Sequence, residues 1–306
     1  MIFQRAKRLQ SKLRLGITGT SGSGKTYSAL LLAAGLGGRI AMIDTENGSG
    51  SLYANICDYD VCTLNAPYTV ERYLTALKEA EKAGYDVIII DSLSHEWSGE
   101  GGILEQHDLI TEKMRGNSFS SWRPVLQNHN KLLSAILASP AHIIATMRSK
   151  TTYAQIENDR GRTEIKKIGL APVQRDGMEY EFGVVFDLNS EHVATVSKDR
   201  TGLFDGQAFN INSQTGELLR DWLNSCEIPT TSDNPILKQR AKTIYGKFLN
   251  LYDNDQERAK AVINAIIPDK PSSQWTEQDL IKLDSEFESR QSESEAMQEP
   301  KEESPE

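Results

Sequence analysis

Eight consecutive residues, Gly19-Thr20-Ser21-Gly22-Ser23-Gly24-Lys25-Thr26, read G-x-x-x-x-G-K-T. That pattern is the P-loop, and its chemistry is the holding of a nucleoside triphosphate. Glycines let a backbone wrap a phosphate with no Cβ in the way. Successive N–H groups then face the anion, and the N-terminus of a following helix adds partial positive charge. In this pattern the Lys25 ammonium meets the β- and γ-phosphates, and the Thr26 hydroxyl ligates Mg²⁺. We therefore expect ATP and Mg²⁺, held by Gly19 through Thr26 with Tyr27 beside them. A second stretch, Tyr85-Asp86-Val87-Ile88-Ile89-Ile90-Asp91, is an aliphatic run closed by an acid, the Walker B shape. There Asp91 would join Thr26 in holding the metal shell, usually through water. An ordinary strand ending in Asp is the plain alternative.

Those groups must be positioned by strands and helices. Residues 13–18 are apolar and β-prone, and residues 27–34 are strong helix formers. Strand, glycine loop and helix is the context that the motif requires. Residues 39–44 read as a short buried strand running into a loop at 45–50, and residues 60–64 as another short strand. Residues 70–83 carry apolar positions at helical period. An unbroken aliphatic run such as residues 87–90 suits a parallel strand buried on both faces, with its carboxylate at the C-terminal end where ligands bind. Residues 98–121 are rich in Gly, Ser and charge and read as a mobile stretch. Residues 122–139 read as a helix with Pro124 in its first turn, 142–147 as a buried strand, and 181–188 with 191–198 as a hairpin around Asn189-Ser190. A strand at 207–211 and a helix at 216–224 close the domain. The fold class expected is α/β: a mostly parallel sheet with an antiparallel edge.

Beyond a Pro- and Thr-containing linker at 229–235, residues 236–288 read as a small helical module, with Thr276 starting its third helix in a Thr-x-x-Asp box. From Ser289 the chain is Ser, Glu, Gln and Pro, a composition that predicts a disordered acidic tail at 289–306. The domain reading is thus 1–228, linker, module, tail. The 306 residues carry a net charge of −9, so no global nucleic-acid footprint exists and any DNA site must be local. One segment stands apart: residues 148–175 hold seven Lys and Arg against three Asp and Glu. With Gly161, Gly169 and Pro172 and little apolar periodicity, it reads as a basic loop that tracks a DNA backbone, or as a solvated loop. Cys57, Cys62 and Cys226 form no C-x-x-C pair, which points to a reducing compartment and buried apolar thiols. No apolar run is long enough to span a membrane, and no signal-peptide core follows the basic N-terminus. The expectation is a cytoplasmic protein of a bacterial or phage-infected cell, with no membrane partner.

Asp44-Thr45-Glu46 and Tyr53-Ala54 resemble the RecA-like ATPases. That resemblance implies a RecA-like core over residues 13–224, with Glu46 activating the attacking water and Tyr53 stacking on adenine. It places Arg148 where the family has a γ-phosphate-sensing Gln. Lys198-Asp199-Arg200-Thr201-Gly202 is similar to a K-x-R-x-G stretch whose basic pair reaches the neighbouring subunit's nucleotide. The overall pattern is most similar to phage-encoded RecA-like ATPases of the single-strand annealing type. The implied partners are single-stranded DNA and further copies of the chain in a ring or filament, with a single-strand-binding protein as a further candidate. Read without the resemblance, each residue keeps a plainer alternative: Glu46 a loop acid, Arg148 and Lys150 solvated charges, Arg200 a turn residue, Tyr53 a core residue. Three functions follow. The first is an ATPase acting on single-stranded DNA in recombination or annealing. The second is a RecA-fold motor or loader. The third is a nucleotide-switched binding protein with negligible turnover.

Overall fold

In the computed structural model, residues 7–114, 116, 118–157 and 163–298 are described. The elements of the first unit are β1 (Arg14–Gly19), α1 (Lys25–Leu36), β2 (Ile40–Asp44), β3 (Asp60–Thr63), α2 (Val70–Lys82), β4 (Val87–Asp91), α3 (Ser94–Ser98), α4 (Ile103–Lys113) and α5 (Ser118–Ala138). They continue with β5 (His142–Glu157), β6 (Thr163–Pro172), β7 (Val184–Leu188), β8 (Val193–Asp199), β9 (Ala208–Asn210) and α6 (Ser213–Asn224). The sheet order is β3-β2-β4-β5-β1-β7-β8-β9, with β6 paired to β5 off that path. The strands from β3 to β7 run parallel, and β8 and β9 add the antiparallel edge. The α/β class read from the sequence is the class observed.

Side-chain alternation along the strands divides the interior into two layers. On β4, Ile88 and Ile90 face the layer that α2 and α5 fill with Tyr73, Leu77, Val125 and Leu132. Val87 and Ile89 face the layer filled by α1 and α6. All five β4 residues are buried, as an aliphatic strand covered on both faces must be.

Helix α1 crosses α6 at two glycines. A Cβ on Gly35 would meet the Ser213 carbonyl oxygen at 1.9 Å, and one on Gly216 would meet the Leu32 carbonyl oxygen at 2.3 Å. Both obstacles are backbone and cannot turn aside. Gly35→Ala is therefore expected to cost about 3 kcal/mol or more by overpacking and to lower Tm by about 6 °C or more, read by thermal denaturation. An unchanged Tm would show that the two helices separate freely.

Two readings are corrected. Residues 98–121, read as a mobile stretch, are largely helical, since α4 and the start of α5 occupy most of those described. The helix α4 is anchored by buried Ile103 and His107, a pattern too short and too polar to stand out. Nor is residues 148–175 a loop. β5 continues seven residues past Lys150 to Glu157 and pairs antiparallel with β6, with a bulge at Thr152/Tyr153. β-Branched Thr151 and Thr152 suit that ribbon. Arg160 and Arg162 lie outside the described residues, as do the side chains of Tyr153, Lys166 and Lys167.

The chain divides into two compact units, residues 11–225 and residues 1–10 with 226–306. The second holds α7 (Pro235–Leu251), α8 (Gln256–Ile266) and α9 (Glu277–Gln298) around Leu237, Ile244, Phe248, Ile263 and Leu280. Thr276 and Asp279 cap α9 reciprocally: the Asp279 carboxylate accepts from the Thr276 N–H at 2.7 Å, and Asp279 N–H donates to the Thr276 hydroxyl. Helix α9 runs on to Gln298, past the point where composition predicts disorder. The Glu286–Arg290 pair, four residues apart, extends it. Residues 299–306 lie outside the described residues.

Candidate nucleotide site

Register brings the chemistry-bearing residues together. At the C-terminal ends of the parallel strands, Gly19 of β1 lies opposite Arg148 of β5, and Asp44 of β2 lies opposite Asp91 of β4. Four strands thus deliver the P-loop, the aliphatic strand's acid and the Glu46 loop to one edge, the edge at which open α/β sheets bind ligands.

The loop from Thr20 to Gly24 carries left-handed turns at Gly22 (φ 77°) and Gly24 (φ 87°), conformations that a Cβ would strain. Lys25 Nζ donates to the Thr20 carbonyl at 2.8 Å, so the ammonium curls over its own loop. Burial pushes the Lys25 pKa down, and the charges of Asp91 and Glu46 oppose that only in part. The Ser23 hydroxyl is buried and has no hydrogen-bond partner, a polar group left over in the cradle.

The Thr26 hydroxyl donates to Asp91 Oδ2 at 2.7 Å, and the Thr146 hydroxyl donates to Asp91 Oδ1. Asp91 is 1% exposed, and burial raises its pKa against those two bonds. A buried carboxylate beside a hydroxyl is the oxygen donor set that Mg²⁺ takes, completed by water and phosphate oxygens. The unpaired Ser23 hydroxyl and the poorly solvated Lys25 ammonium likewise fit a phosphate chain. Among the described residues no cluster of three or more His, Cys, Asp or Glu stands ready for a metal.

Glu46 sits two residues beyond β2. Its loop is tied down by Asp44, which accepts from the Glu46 N–H at 2.6 Å and the Gly50 N–H at 3.0 Å. Arg148 forks onto the Glu46 carboxylate, with Nε donating at 2.9 Å and a second guanidinium nitrogen donating to the other oxygen. The Ser92 hydroxyl adds a third bond at 3.1 Å. Burial alone would raise the Glu46 pKa; the bonds and charge of Arg148 outweigh it and hold the carboxyl below its usual range. His95 stands behind this pair, stacked on Tyr68 and within 2.8 Å of the Thr45 hydroxyl, and burial lowers its pKa.

Beside the P-loop opens a pocket of about 520 Å³ lined by Tyr27, Tyr53, His192 and Asn210 as well as the loop itself. The Tyr27 and Tyr53 rings meet edge to face at 6.0 Å. Such a pocket has room for a base and ribose. Sequence reading did not find His192 or Asn210. His192 stands in the turn between β7 and β8, and only the parallel pairing of β7 with β1 brings it against Gly24. The sequence does not single out Ser92 or Thr146 as partners of Glu46 and Asp91; their proximity to Asp91 and Arg148 along the chain is the one signal that points there.

Lys198 and Arg200 fall elsewhere. β8 runs antiparallel, so Lys198 pairs with Val185 and the Arg200 N–H meets Gly183, at the end of the sheet opposite the P-loop. That is roughly 15 Å along the strands at ~3.3 Å per residue. The Lys198 ammonium donates to the carbonyls of Glu179 and Tyr180, and Arg200 is exposed. Neither serves the nucleotide site of its own chain.

Residues 11–219 match the protein family described as AAA domain. No curated protein matches the chain. Among solved structures the chain is similar to an ATPase from the type III secretion system of pathogenic bacteria, at 13% identity, covering 91% of this chain and 82% of that one, with a TM-score of 0.38. A likeness of that degree carries no functional argument.

Proposed function

The chain belongs to the AAA domain family, and from that premise we propose that it binds Mg-ATP and hydrolyses it as an oligomer acting on single-stranded DNA. The observation that carries the ATPase reading is the joint position of Lys25, the Thr26–Asp91 pair and the Glu46–Arg148 pair on one sheet edge. In this reading the P-loop N–H groups and Lys25 cradle the triphosphate, and Tyr27 and Tyr53 flank the base. Thr26 and Asp91 would hold Mg²⁺, which would supply neutralisation of phosphate charge. Arg148 leaves Glu46 for the γ-phosphate. Glu46, released, accepts the proton of a water whose oxygen attacks phosphorus as the bond to ADP breaks. Arg200 supplies positive charge to the nucleotide of a neighbouring copy, because it stands at the far end of its own sheet.

Support for a DNA partner is local: the positive balance of residues 148–175, whose described part pairs as the β5–β6 ribbon from Ser149 onward. The test is phosphate release with and without single-stranded DNA, run beside a measurement of assembly size. Turnover should rise with DNA and with assembly. Turnover indifferent to DNA removes the DNA reading, and a monomer with full turnover removes the role of Arg200.

A further inference from the structure

Helix α7 presents Lys238, Ala241, Lys242 and Tyr245 at spacings of three and four residues, one continuous face. Helix α8 faces it with Lys260 and Ile263, and the turn that ends at Trp275 closes one side. Together they enclose a hollow of about 760 Å³. Trp275 is 5% exposed and its indole N–H donates to the Lys270 carbonyl at 3.0 Å, so the wall is fixed.

Charge is sorted here against the trend of the chain. Residues 226–306 contain 17 acidic and 10 basic residues, yet four lysines and no Asp or Glu line the hollow. Of the four, Lys270 is paired with Asp279, and outside the hollow Arg240 and Lys247 pair with Asp284. Among the described residues Lys238 and Lys242 enter no ion pair, and Lys260 has only an exposed contact with Glu257 at 3.4 Å. Two like charges four residues apart on a helix repel. The structure holds that repulsion in place without a countercharge, which an anionic ligand would supply.

We propose that this groove binds single-stranded nucleic acid, with Lys238, Lys242 and Lys260 on phosphates and Tyr245 stacked on a base. Lysines along a groove with an aromatic platform are the pattern of sequence-independent single-strand binding. Ammonium groups meet phosphates as point charges, without the fixed geometry that sequence readout needs. The proposal rests on the single-strand reading above and places a binding site in the second unit.

The experiment is fluorescence anisotropy of a labelled oligo-dT with the full chain across a salt series. Lys238→Gln with Lys242→Gln should weaken binding about tenfold or more at low salt. It should also reduce the slope of log affinity against log salt by about 1.4, two phosphate contacts' worth. Tyr245→Leu should weaken binding and leave the slope unchanged. DNA-free ATP turnover of both variants should equal wild type, showing that they fold. Wild-type affinity and slope in the lysine variant overturn the groove alone. No oligo-dT binding by wild type overturns the single-strand reading and the groove with it. Lysine-dependent binding of a labelled oligo-glutamate peptide in preference to oligo-dT overturns the ligand assignment.

Discussion

Lys25→Ala is expected to remove Mg-ATP binding, a loss of at least about 10²-fold, or ~3 kcal/mol. The free loop already holds the ammonium at a disadvantage: it is withdrawn from water, its pKa is pushed down by burial, and its bond to the Thr20 carbonyl is its one described hydrogen bond. A triphosphate returns to it the anionic partner that burial denies. Removing the side chain therefore deletes a charge-assisted contact from the complex and little from the free protein. Titration calorimetry with Mg-ATP measures the first effect, and a thermal melt of the nucleotide-free variant measures the second. The melt should stay at or above wild type. Unchanged ATP affinity in a folded variant would dismiss the P-loop as the nucleotide site.

Glu46→Gln should leave ATP affinity near wild type and lower turnover by about 10²-fold or more, the usual cost of a lost general base. The amide keeps the shape and can still accept one bond from Arg148, so binding and chemistry separate cleanly. The pH dependence follows from the same contact. Arg148 holds the Glu46 pKa down in the free protein, so the charged form persists to lower pH. The acid limb of kcat/KM, which reports groups of the free enzyme, should then fall below the ordinary glutamate value of about 4.3. Normal turnover in Glu46→Gln would return this residue to the status of a loop acid stapled to Arg148.

Part of this molecule was legible from the chain alone, for a local reason in each case. The P-loop is a contiguous code whose glycines and Lys-Thr pair act within eight residues, so its meaning does not depend on distant contacts. The run from Val87 to Asp91 declares a strand covered on both faces because no residue in it tolerates water. The Thr276–Asp279 cap and the Asn189 turn are likewise settled by neighbours in sequence. Periodicity failed where elements are short or polar. α4 buries too few side chains to show a helical stripe, and the ribbon of β5 and β6 draws its order from pairing across a chain reversal.

Tertiary structure decided the rest. Nothing in the sequence states that Arg148 reaches Glu46 across 102 positions; the parallel register of β5 against β1 and β4 does. The placement of His192 and Asn210 beside Tyr27 and Tyr53 follows from β7 joining β1. The opposite placement of Lys198 and Arg200 follows from the reversal into β8. Residue types and local spacing determined which chemistry this protein carries. Strand order and register, set by which apolar faces could be buried against one another, determined which of those groups meet.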